Sequence, residues 1–61
     1  MKVNVVVVTP NEKGDYTRIQ FDRWAEPTRV KSLIASARKM ARGYESQGVP
    51  AKVLVDRVEV S

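Results

Sequence analysis

Residues 30–44 read VKSLIASARKMARGY, and the spacing of their apolar members decides the fold. Val30, Leu33, Ile34, Ala37, Met40, Ala41 and Tyr44 recur at intervals of three and four. At about 100° per residue, every apolar residue of the stretch except Ala35 falls on one side of a helix. Such a helix is stable only if that side is covered, so the flanking segments must supply a surface for it.

The ends of the helix are legible too. Pro27 suits the first helical position, where a missing N–H costs nothing. Glu26 before it is a poor cap, which makes Thr28 the alternative N-cap. At the far end Gly48 suits the left-handed residue that follows a helix. Val49 would then meet Tyr44 in a Schellman ending, and Pro50 blocks continuation. Gly43 stands inside the helix on its polar side, at a cost of about 1 kcal/mol relative to alanine.

The flanks read as strands. Residues 2–9 (KVNVVVVT) are rich in β-branched side chains, residues 16–24 (YTRIQFDRW) alternate, and residues 51–60 (AKVLVDRVEV) alternate as far as Asp56. Between the first two, Glu12-Lys13-Gly14 suits a three-residue hairpin loop with Gly14 at positive φ and Asn11 paired to Asp15. Counting outward from that pair, Val7 faces Ile19, Val5 faces Phe21 and Val3 faces Arg23. On the other side Val8 faces Arg18, Val6 faces Gln20 and Asn4 faces Asp22. A slip of one residue would set the apolar side against the polar one. The alternation fails at Asp56-Arg57. A bulge there returns Val58 and Val60 to the core, and otherwise they join Leu54.

The expected fold is therefore α+β with the order β-β-α-β. The first strand, apolar on both sides, belongs in the centre of a three-stranded, mainly antiparallel sheet of order 2-1-3. One helix packs on the side that carries Val3, Val5, Val7, Ile19, Phe21, Val53 and Val55. Phe21, Leu33, Ile34, Ala37, Val5 and Val7 are its expected core. At 61 residues the chain is read as one small domain, 1–61.

Size and composition narrow the function. A domain this small buries only about 60% of its unfolded surface and needs a staple. With no Cys and no His, disulfides and the usual zinc sites are excluded. Self-association is the remaining staple, so a homodimer is expected. Eleven Lys and Arg against seven Asp and Glu give a net charge of +4, which mildly favours nucleic acid or an acidic protein surface. The run Val5–Val8 is shorter than a signal-peptide core of roughly 7–15 residues, and no segment approaches a membrane span of about 20 apolar residues. The expected setting is the cytoplasm, and the size suits a protein of a virus or mobile element.

No constellation offers chemistry. Ser32, Ser36, Ser46 and Ser61 have no histidine to activate them. Asp22 and Glu26 are solvated charges or cap partners, because acid–base work needs a shaped pocket. No catalytic residue, metal site or cofactor is expected.

Two surfaces remain. The sheet side away from the helix would show Val6, Val8, Tyr16, Arg18, Trp24 and Leu54, an apolar centre rimmed by aromatics and arginine as in protein interfaces. Lys31, Arg38 and Arg42 form a narrow basic stripe beside the apolar side of the helix, with Lys39 further round. Together with Arg18 they are the candidate nucleic-acid contacts. The expected function is a small non-enzymatic interaction module that self-associates through the open sheet face or an edge strand. Nucleic-acid binding is the alternative.

Overall fold

A computed structural model describes residues 2–56 and 58–60, with the backbone alone at Val58. Strands β1 (Val3–Thr9) and β2 (Arg18–Ala25) are followed by a 3-10 turn (Pro27–Arg29) and helix α1 (Val30–Ser46). Strands β3 (Lys52–Val55) and β4 (Val58–Glu59) complete the chain. The sheet order is β2-β1-β3-β4, antiparallel between neighbours. Its first three strands and single helix are the expected α+β arrangement, with the apolar β1 flanked on both sides.

The core lies between α1 and the centre of the sheet. Val5, Val7 and Val53 from β1 and β3 are fully buried, and Ala37 and Ala41 of α1 pack onto them. The two alanines let the helix backbone approach β1 closely. Phe21, Leu33 and Ile34 were expected in the same core, but they are only half-buried at its margin. One helix is too narrow to close over the outer strand β2, so the largest apolar side chains stay partly wet.

The helix ends follow local chemistry. Val49 N–H donates to the Tyr44 carbonyl at 2.9 Å and Gly48 N–H to that of Glu45 at 2.9 Å, with Gly48 at φ +81°. These are the paired bonds of a Schellman ending. At the start Thr28 is not the cap. The chain enters through the 3-10 turn, with Arg29 N–H on the Glu26 carbonyl at 2.8 Å, and the cap of α1 is Arg29 without a side-chain bond.

The hairpin turn forms as expected, but the register does not. Asn11 N–H donates to the Asp15 carbonyl at 2.6 Å, and Gly14 sits at φ +88°. The Asn11 Oδ1 accepts from the N–H groups of Lys13 (2.8 Å) and Asp15 (3.1 Å), locking the loop. Two slips then follow on the second strand. Thr17 N–H turns back onto the Asp15 carbonyl at 2.9 Å, which absorbs one residue and pairs Thr9 with Arg18 and Val8 with Ile19. A bulge between Val7 and Val8 leaves Gln20 unopposed and pairs Val7 with Phe21, Val5 with Arg23 and Val3 with Ala25. Each slip exchanges the two sides of the strand, and two slips cancel. Phe21, Asp22 and Trp24 therefore keep their expected sides. Ile19, between the slips, changes to the open side, while Arg18 and Gln20 change to the helix side.

The last segment is not one strand. Val55 pairs with Val58 in an antiparallel ladder, so the chain reverses between them and the segment does not continue as one bulged strand. Asp56 takes φ +49°, the sign that both favoured two-residue hairpin turns require at their first position. Its carboxylate accepts the Asn4 N–H at 3.0 Å while its own N–H donates to the Asn4 carbonyl at 2.9 Å, extending the pairing of β1. Arg57, the other half of the expected bulge, lies outside the described residues, as does Ser61.

Candidate protein interface on the open sheet face

The side of the sheet away from α1 is built mainly by β1 and its neighbours. Val6 stands between Asp22 of β2 and Leu54 of β3, and Val8 between Ile19 and Lys52. Val6 and Leu54 are half-buried, while Ile19 is 60% and Trp24 63% exposed. Trp24 faces Asn4 at the far end of the strand pair. These four side chains form the apolar part of the face.

One polar contact closes an end of it and another stands beside Val6. The Lys52 ammonium lies 4.3 Å from the centre of the Tyr16 ring and 3.5 Å from the Glu59 carboxylate. This strap runs from the entry of β2 to β4 across β1 at the level of Val8 and leaves that valine 5% exposed. A cation over an aromatic ring at this distance is attracted by the ring quadrupole. Beside Val6, between Ile19 and Trp24 on β2, the Asp22 carboxylate accepts from the Asn4 amide at 2.7 Å. An apolar strip framed by satisfied polar groups has the core-and-rim composition of a protein interface.

Of the six expected interface residues, the structure brings Val6, Leu54 and Trp24 onto the open face. Tyr16 joins them through its contact with Lys52. Val8 is on this face but lies beneath the strap. Arg18 is not there: it faces the buried Thr9 on the helix side and pairs with Glu12 at 3.9 Å. The slip that moves Arg18 away brings Ile19 in. Ile19 was read on the helix-covered side, and the turn of Thr17 onto Asp15 that moves it has no signal in the hydrophobic pattern. Lys52 was also missed, although it shares its side of the strand with Leu54, and Glu59 was missed because its position depends on the β3–β4 reversal.

The outer edge of the third strand, expected to be unpaired, is taken by β4. β4 pairs along the outer side of β3, through Leu54–Glu59, Val55–Val58 and a 2.9 Å bond from Val60 N–H to the Val53 carbonyl. The outer edge of β2 is interrupted by the bulge and carries Arg18, Asp22 and Arg23, devices that discourage edge pairing.

On the other layer, Lys31, Arg38, Lys39 and Arg42 are all exposed along α1. Among the described residues none of them has a carboxylate within ion-pairing distance, and Glu45 does not pair with Arg42. Gln20 instead ties β2 to the helix: its amide donates to Thr9 Oγ1 at 3.1 Å and its oxygen accepts the Tyr44 hydroxyl at 3.0 Å.

The concavities that stand out are shallow. One of about 380 Å³ borders Met40, Gly43, Tyr44 and Gln47, and one of about 290 Å³ lies in the hairpin loop. Neither gathers a nucleophile with a base, and the described residues hold no group of three potential metal ligands. No helix among them is long and apolar enough to cross a membrane. Comparison with protein-family models, curated proteins and solved structures found no match for this chain.

Proposed function

We propose that the protein is a non-enzymatic interaction module that pairs with a second copy of itself through the open sheet face. The observation that carries this reading is the uncovered apolar strip of Val6, Leu54, Ile19 and Trp24, the last two at least 60% exposed. Each large apolar side chain left wet forgoes about 1.5–3 kcal/mol of burial. Among the described residues the fully buried large side chains are three valines, so the monomer has little stability to spare.

A second copy suits the face. Its Cα extents of 35 × 20 × 15 Å give the molecule a broad side close to the roughly 800 Å² per partner of a standard interface. Two such faces related by a two-fold axis are self-complementary and pack about 10 Å apart, as sheets do. With β3 covered by β4 and the β2 edge blunted, the face is the better of the two expected routes. A chain without cysteine suits the reducing cytoplasm, where we place it.

Size-exclusion chromatography with light scattering tests the proposal. The parent is expected as a dimer. Ile19→Lys is expected as a folded monomer, because Ile19 touches little within its own chain. Val6→Lys should behave alike at some cost in stability. A parent that stays monomeric at high concentration, or an Ile19→Lys variant that stays dimeric, overturns the reading.

A further inference from the structure

The charges of this protein are sorted by layer. Residues 29–46 hold five cations, Arg29, Lys31, Arg38, Lys39 and Arg42, against the single carboxylate of Glu45. That surplus equals the net charge of +4 of the whole chain, and the remaining six cations and six carboxylates cancel. In the sheet layer the cations and carboxylates balance in number, Arg18 meets Glu12 and Lys52 meets Glu59, and Asp22 and Asp56 accept from the neutral Asn4. On the helix no such answer is present for Lys31, Arg38, Lys39 or Arg42 among the described residues.

The cations are also in line. At about 1.5 Å rise and 100° per residue, Lys31, Arg38 and Arg42 fall within a stripe about 40° wide and about 16 Å long. Arg38 and Arg42 are one turn apart, about 6 Å along the axis. Burial of Leu33, Ile34, Ala37 and Ala41 on the sheet fixes which way the stripe points, so it is displayed by a rigid element.

We propose that this flank of α1 binds nucleic acid through its phosphate backbone, independently of the self-association reading. A linear row of unanswered cations matches a linear row of phosphates. An anionic membrane fits less well, since an interfacial helix needs its apolar side free and here that side is spent on the core. An acidic protein surface fits less well, since the stripe residues include no aromatic anchor. The concavity at Met40, Gly43, Tyr44 and Gln47 is on the opposite flank.

The test is fluorescence anisotropy with labelled duplex DNA and duplex RNA across a salt series. Three phosphate contacts predict a log–log slope near −2.7, so raising salt from about 50 to about 200 mM should weaken binding about 40-fold. Lys31→Gln/Arg38→Gln/Arg42→Gln is expected to abolish the slope with an unchanged circular dichroism spectrum. A control that removes the same charge elsewhere, Lys2→Gln/Lys13→Gln/Arg23→Gln, should retain it. Equal losses in the two triple variants would show a diffuse charge effect and overturn the site. Absence of binding at low salt would do the same. Polyglutamate or phosphatidylserine vesicles bound as tightly as the duplexes would overturn the choice of nucleic acid.

Discussion

Three single residues test how closely the backbone is specified. A Cβ added at Gly43 would meet nothing within 4 Å, and no left-handed backbone holds a glycine there. Gly43→Ala should therefore stabilise the protein by about 1 kcal/mol. In a domain this small that is a rise of about 4–8 °C in Tm, measurable by thermal denaturation. Gly48 is the opposite case, since space is free but φ is +81°. Gly48→Ala should cost about 1–2 kcal/mol in urea unfolding, the penalty of a left-handed L-residue. Asp56 holds the same backbone region at φ +49° and also accepts the Asn4 N–H. Asp56→Ala loses both a tolerant side chain and a bond, for an expected cost of about 1–2 kcal/mol, and Asp56→Gly should recover the backbone part.

At the level of elements, packing depends on which side of a strand a residue occupies. Val7→Ala removes two fully buried methyl groups and should cost about 2 kcal/mol or more once the cavity is counted. Phe21→Ala, at the wet margin of the core, should cost less than the roughly 3–5 kcal/mol of a buried phenylalanine. Chevron or equilibrium denaturation separates the two. The helix, its Schellman ending, the Gly14 turn and the central place of β1 were all legible, because each rests on one local rule. The β2 register was not. It turns on two one-residue insertions, one made by a hydrogen bond from Thr17 to Asp15 and one by the unopposed Gln20, and neither leaves a mark in the hydrophobic pattern. Since the two cancel, the expected sides of Phe21, Asp22 and Trp24 survived while Ile19 and Arg18 changed places. The β3–β4 reversal had its signal in the broken alternation at Asp56. A bulge and a chain reversal disturb the pattern alike, and the reversal is marked by the positive φ of Asp56.

For the whole molecule, the two sides of the sheet make different demands. Val8→Lys sets a charge beneath the Tyr16–Lys52 contact and should unfold the protein, whereas Ile19→Lys should leave it folded. Dimerisation linked to folding also makes Tm rise with protein concentration, and a Tm independent of concentration would speak against it. A single helix covering a single side of the sheet has one more consequence. If the open faces meet, the helices become the two outer surfaces of a four-layer body, pointing in opposite directions. Such a body cannot grip one straight duplex from both sides. It would be bivalent, each positive flank reaching a different polymer segment. Its natural products would be bridged, looped or condensed strands, with an avidity set by how flexibly the polymer returns to the second flank.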